Sequence, residues 1–241
     1  MTTAELLDIT KVYNQPGTVN APPVLDGISL TIANGETIAI TGPSGSGKTT
    51  LLNILGTLDQ PTSGKVILGG NIVGQLDEKQ ISSLRNRFTG FIFQMHLLLP
   101  QLTILENVLL PAMPVKDKQF RTEAAARAVS LLERVGLKDH MAHYPARLSV
   151  GECQRAAVVR ALINQPKLLL ADEPTGSLDA RNAAILAELL AELRETYGFA
   201  LVIVTHDLEV ARRMNTHYQL LNGKMHTTNP SRSTGGSRSE I

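Results

Sequence analysis

Gly42-Pro43-Ser44-Gly45-Ser46-Gly47-Lys48-Thr49 decides the fold of this chain. The apolar run Thr37-Ile38-Ala39-Ile40 before it reads as a buried strand, and Thr50-Leu51-Leu52-Asn53-Ile54-Leu55 after it reads as a helix. The Gly-x4-Gly-Lys-Thr spacing lets successive backbone N–H groups turn inward around a polyphosphate, and the glycines permit close approach without a Cβ. The helix that follows aims the positive end of its dipole at the same anion. Lys48 is placed to reach β- and γ-phosphates, and the Thr49 hydroxyl to hold Mg²⁺. A Gly/Ser-rich turn with an incidental lysine is the alternative, and the strand–loop–helix setting opposes it. The octapeptide predicts a nucleoside triphosphate site.

The chain of 241 residues suits one large α/β domain or two small ones. It is 43% hydrophobic and 19% charged, with a net charge of +1. That balance argues for neither a nucleic-acid surface nor a polybasic membrane anchor. Cys153 is the single cysteine, so it has no intrachain disulfide partner and fits a reducing compartment. The start, Met1-Thr2-Thr3-Ala4-Glu5, lacks the features of a signal peptide. Apolar runs such as Ala200 to Val204 fall far short of the ~20 residues that span a bilayer. Any membrane role is therefore expected to come through a partner.

Ala4–Ile9, Ile28–Ile32, Lys65–Leu68, Phe91–Phe93, Leu168–Ala171 and Ala200–Val204 read as strands, with a Pro/Gly/Asn-rich loop over 14–23. Asp77 is placed to cap a helix running to Phe88. Ala128, Leu131, Leu132 and Val135 share one helical face, closed by Gly136, and Leu186, Leu189, Leu190 and Leu193 share another. Apolar strands alternating with amphipathic helices imply a mainly parallel sheet covered on both faces, with a helical block inserted over about 95–165. From about Thr227 the chain turns Ser/Thr/Gly/Arg-rich and is expected to be disordered.

Leu168-Leu169-Leu170-Ala171-Asp172-Glu173 is a strand closed by two carboxylates. Beside a phosphate loop, Asp172 suits the Mg²⁺ side and Glu173 can accept a proton from an attacking water. His206, in Thr205-His206-Asp207 after the last strand, is able to contact a γ-phosphate or simply to occupy a turn. Gln94, at the end of Phe91–Phe93, is either a Mg²⁺ or water contact or an ordinary polar strand end.

Leu148-Ser149-Val150-Gly151-Glu152, just ahead of a helix, resembles the signature motif of ATP-binding cassette (ABC) transporter ATPases. The likeness is collinear over about Ala4–Met225. It implies a phosphate-loop ATPase core with a mainly parallel sheet, an antiparallel β segment and an inserted helical subdomain, together forming one domain over 1–226. It further implies ATP and Mg²⁺ as ligands, Tyr13 stacking on adenine, and Gly42–Thr49 with Thr50 around the phosphates. Thr49, Gln94 and Asp172 would stand at the metal, Glu173 as catalytic base, and His206 as switch. Two such domains would pack head to tail, so that Ser149, Gly151 and Glu152 reach the partner's nucleotide and Ser177-Leu178-Asp179 meets the opposite subunit. The run from Asn53 to Gly64, the pair Leu97–Pro100 and Leu102–Val108, and Ala171–Asp179 are similar to the branch of macrolide-export and lipoprotein-release ATPases. That implies a separate integral membrane permease near Met95–Leu99, a location on the cytoplasmic face of the membrane, and no nucleic-acid partner. The family pattern usually has glycine at Val150; valine there would resist positive φ and add bulk beside the partner's phosphates. A regulatory module of low turnover, and a soluble ABC ATPase acting on ribosomes or DNA, are the competing functions. Intact Glu173 and His206 oppose the first. A single phosphate loop without sustained heptads opposes the second.

Overall fold

The computed structural model describes residues 1–13 and 21–228. The chain runs β1 (Thr2–Lys11), β2 (Leu25–Ala33), β3 (Thr37–Thr41), α1 (Lys48–Leu55), β4 (Ser63–Leu68), β5 (Asn71–Ile72), α2 (Glu78–Phe88) and β6 (Thr89–Ile92). A helical block follows, with α3 (Ile104–Leu109), α4 (Lys118–Arg134) and α5 (Val150–Leu162). The remainder is β7 (Leu168–Asp172), α6 (Ala180–Tyr197), β8 (Ala200–Val204), α7 (Leu208–Arg212), β9 (Thr216–Leu221) and β10 (Lys224–Thr227).

Two sheets result. The first is antiparallel, in the order β2-β1-β4-β5; the second is six-stranded, β10-β9-β3-β8-β7-β6, and parallel except for β10. Because side chains alternate along a strand, β7 and β8 feed two different cores. Leu168, Leu170, Ala200, Val202 and Val204 pack with α1 and the antiparallel sheet. Leu169, Ala171, Leu201 and Ile203 pack with α6 and with the apolar faces of α3, α4 and α5. The helical block thus shares a core with the sheet, which is what fixes it against the strand ends.

Local signals explain the helix ends. Asp77 accepts from the Gln80 N–H at 2.8 Å while Gln80 accepts from the Asp77 N–H at 2.9 Å, a capping box worth about 1 kcal/mol. Gly136 takes φ 73° just past α4, as a helix stop requires. The parallel pairing of Thr89 with Leu168 through Ile92 with Ala171 starts β6 two residues before the apolar run Phe91–Phe93 and ends it one residue sooner. Gln94 therefore lies beyond the strand. The sequence reading also passes over β5, β9 and β10. Asn71–Ile72 is too short to show a pattern, and in β9 only Leu220 is fully buried. Thr227 still pairs, with Tyr218; residues 229–241 of the expected tail, and 14–20 of the expected loop, lie outside the described residues.

Candidate active site

β3, β7 and β8 run parallel, with Ile40 and Asp172 both level with Val204. Whatever follows these three strands must emerge together at their carboxyl ends, where open parallel sheets bind ligands. The loop from Gly42, the pair Asp172–Glu173 and His206 meet there in a cleft of about 540 Å³, joined by Tyr13, Thr50 and Gln94. Val24 also lines it, a residue the motifs do not mark.

The phosphate loop has the backbone that its glycines permit. Gly42, Gly45 and Gly47 take φ values of 153°, 78° and 100°. A Cβ at Gly42 would overlap the Leu220 carbonyl, and one at Gly47 would lie 2.8 Å from the Val24 carbonyl oxygen. Lys48 Nζ donates to the carbonyls of Gly42 (2.9 Å) and Pro43 (3.0 Å), so its charge is folded over the loop. Ser44 and Gly45 face the cleft, whereas Pro43 contributes its carbonyl to Lys48, and the buried Ser46 hydroxyl has no hydrogen-bond partner among the described residues. A cradle that excludes side chains, one lysine and the start of a helix match a polyphosphate.

Thr49 and Asp172 line the cleft together, and the Thr49 hydroxyl lies close enough to the Asp172 carboxylate to favour its charged form, so two oxygen ligands suited to Mg²⁺ stand near each other. Burial pushes the Asp172 carboxyl above its usual range and the Glu173 charge adds to this, while Thr49 and the Lys48 charge oppose it. Such a carboxylate is short of positive charge. Glu173 takes φ 45°, a left-handed conformation that non-glycine residues seldom adopt and that collects at functional sites. Its N–H donates to the Val204 carbonyl and its own carbonyl accepts from the Gly176 N–H, both at 2.9 Å, which holds the turn. The side chain is 16% exposed, and Oε2 lies 2.9 Å from His206 Nδ1 and accepts from the His206 N–H at 3.2 Å. His206 itself is 73% exposed. Asp207, beside it, caps α7, so the histidine is free of that duty.

Ser149, Gly151, Glu152 and Asp179 are not brought to this cleft. Ser149 caps α5: its hydroxyl accepts from the Glu152 N–H at 3.3 Å, and Glu152 Oε2 accepts from the Ser149 N–H at 2.8 Å. Ser149-x-x-Glu152 is a capping-box pattern that the sequence already displays. Asp179 caps α6 by accepting from the Asn182 N–H at 2.8 Å. The protomer does not require of Val150 the positive φ that valine would resist. Val150 is the first residue of α5, is absent from the positive-φ residues, and is 53% exposed. Its bulk, the other feature expected of valine here, remains.

Gln154, Asp59 and a second groove also escape the motif reading. Gln154, fully buried on α5, donates to the carbonyls of Phe93 (2.8 Å) and Pro174 (3.1 Å), tying that helix to the neighbours of Gln94 and Glu173. Asp59 accepts from the Tyr13 hydroxyl at 2.6 Å and from Lys11 Nζ at 2.7 Å. No local pattern announces contacts made 46 and 48 residues apart. A second groove, of about 420 Å³, lies where α2, β6 and the end of α5 meet; Leu58, Phe91, Phe93 and Leu97 give it an apolar lining edged by Arg85 and Arg160. Beside it Met95, Leu97 and Leu99 are exposed, and Arg160 holds their loop by donating to the carbonyls of Leu97 (2.6 Å) and His96 (2.7 Å).

Comparison with known proteins agrees with this geometry. Residues 25–176 match the family model described as ABC transporter. The chain is 52% identical over 200 residues to the lipoprotein-releasing system ATP-binding protein LolD of Shewanella oneidensis, covering 83% of this chain and 86% of the relative. It is 48% identical to LolD of Geobacter metallireducens over 221 residues, 92% of this chain and 96% of the relative. Among solved structures, the cassette MJ0796, as a dimer in a post-hydrolysis state with ADP and Pi, superposes with a TM-score of 0.82 at 36% identity, covering 93% of this chain and 98% of that one. Among the described residues no helix is long and apolar enough to cross a membrane. The chain belongs to the ABC transporter family, as one of its ATP-binding and ATP-hydrolysing subunits.

Proposed function

We propose that this chain works as a head-to-tail pair beneath a separate permease, on the cytoplasmic face of the membrane, and that its ATP cycles drive the release of lipoproteins. The observation that carries the pairing is the separation just described. Ser149 and Gly151 stand at the start of a helix away from the cleft that holds Lys48 and Glu173. One chain thus carries two halves of a hydrolytic site on different surfaces, and a second copy joins them.

In this reading residues 1–226 form the nucleotide-binding domain, with 95–165 as its helical subdomain. Tyr13 stacks on adenine. Lys48 leaves the Gly42 and Pro43 carbonyls to bind the β- and γ-phosphates. Thr49, Asp172 and Gln94 are the residues that would hold Mg²⁺, and the adjacent Thr49–Asp172 oxygens fit that ion. Bound there, Mg²⁺ supplies neutralisation of phosphate charge. Glu173 Oε1, which has no partner among the described hydrogen bonds, accepts a proton from water, while His206 reads the γ-phosphate. Ser149, Gly151 and Glu152 of the second copy complete the anion site at the start of α5, and Asp179 borders the contact.

The cargo is supported by relatives named for lipoprotein release that are matched over most of their length. The permease is supported by the groove and the exposed Met95, Leu97 and Leu99 beside it. The experiment is detergent extraction of the tagged chain from its own membranes, followed by ATP-driven lipoprotein release from vesicles. An integral membrane protein should copurify, and Met95→Asp should shed it while keeping ATP binding. Copurification without ATP-dependent lipoprotein release would remove the cargo, and loss of both would remove the permease.

A further inference from the structure

Tyr13 stands on the rim of the cleft, half exposed, where an untethered ring would sample several rotamers. It is not untethered. Its hydroxyl donates to Asp59 Oδ2 at 2.6 Å, so the ring is fastened to the segment that follows α1. Lys11 Nζ lies 4.6 Å from the ring centroid, over one face. The same ammonium donates to Asp59 Oδ1 (2.7 Å) and to the Gln60 carbonyl (2.6 Å). Burial alone would raise the Asp59 carboxyl; hydrogen bonds from Lys11, Tyr13 and the Gln60 N–H hold it below the usual range, so it stays an acceptor.

We infer that Asp59 is a positioning residue for the nucleobase: with Lys11 it fixes the Tyr13 ring before ATP arrives. The inference rests on the reading of Tyr13 as the adenine platform. Ordering one long side chain at a binding surface commonly costs a few-fold in affinity, and the tether removes that cost from the binding step.

The test is calorimetric titration of the full chain with Mg·ATP and, separately, with Mg·tripolyphosphate, which has the phosphates and no base. Tyr13→Phe removes only the hydroxyl and keeps the ring. It should weaken Mg·ATP about 2- to 12-fold, and Asp59→Ala should do the same. The double variant should be no weaker than Asp59→Ala alone, because both changes cut one tether. Tripolyphosphate should bind all variants as it binds the wild type. Tyr13→Ala separates the inference from its premise. If that variant binds ATP normally, the adenine platform falls and the tether with it. If Tyr13→Ala weakens ATP while Tyr13→Phe and Asp59→Ala do not, the platform stands and the tether is refuted. Additive losses in the double variant, or weakened tripolyphosphate binding, would show Asp59 acting on the loop itself and would likewise refute it.

Discussion

Glu173→Gln separates chemistry from structure more cleanly than any other change at this site. Glutamine keeps the length and branching of the side chain, so its 16% exposed pocket and the φ of 45° are retained. Its carbonyl oxygen can still accept from the His206 N–H, which now reaches Oε2 at 3.2 Å. What disappears is the charge. A charge-assisted bond exceeds a neutral one by about 1 kcal/mol, and the 73% exposure of His206 screens that difference further. The cost to folding is therefore about 1 kcal/mol at most, or roughly 2–4 °C in Tm for a domain of this size. A 1 kcal/mol change is also about 5-fold in affinity, which bounds the effect on ATP binding. Hydrolysis loses its proton acceptor and should fall about 10²–10⁴-fold. Single-turnover hydrolysis beside thermal unfolding checks this, and size-exclusion chromatography with ATP should show the variant held as a dimer. Hydrolysis at the wild-type rate would remove Glu173 as the base. A Tm loss near 10 °C would make it a structural residue instead.

Lys48→Ala should weaken ATP about 10- to 150-fold, the range of one charge-assisted contact. Titration should fall toward the lower end, because binding already requires Nζ to give up the Gly42 and Pro43 carbonyls. Unchanged affinity would exclude the loop as the phosphate site. Burial raises the folded-state pKa of Asp172 above that of an ordinary carboxylate, so its contribution to stability is complete below the ordinary value and is lost as pH rises through the folded pKa. Asp172→Asn should accordingly raise the Tm of the nucleotide-free, Mg²⁺-free protein at neutral pH, with the gain shrinking as the pH is lowered. A Tm gain that does not shrink would place its origin elsewhere. Val150→Gly should leave the protomer slightly less stable, by a few tenths of a kcal/mol, since glycine is the poorer helix former. A gain of about 1 kcal/mol in chemical unfolding would reinstate a strained valine.

The central strands were legible because burial on both faces leaves an uninterrupted apolar run, as in Leu168–Ala171 and Ala200–Val204. The phosphate loop and the Asp172–Glu173 pair were legible because their chemistry is local in sequence. Pairing is not local. The start of β6 is set by β7, and a window around Phe91 contains nothing about Leu168. The helical backbone of Val150 was missed for a different reason. Its backbone is set by Ser149 and Glu152 closing a capping box around it, a pattern present in the sequence but read only as a nucleotide contact. The tether from Tyr13 to Asp59 depends on two segments meeting across the rim of the cleft, and only coordinates bring them together.

The strand order has a consequence for how the protein is made. β3, which carries the phosphate loop, has β8 and β9 as its neighbours, and Ile40 is paired with Val204 and Tyr218. Nothing synthesised before β3 pairs with it in the sheet. At a ribosomal pace of about 5–20 residues per second, roughly 8–33 s separate the synthesis of Thr41 from that of Val204. Throughout that interval Ile38, Ala39 and Ile40 wait as an unpaired apolar edge on a nascent chain, the kind of surface that invites aggregation or chaperone binding. Nucleotide cannot relieve the wait, because the loop that would bind it hangs from the waiting strand. Truncations that remove β8 or β9 should therefore yield insoluble chains rather than weakened ATPases.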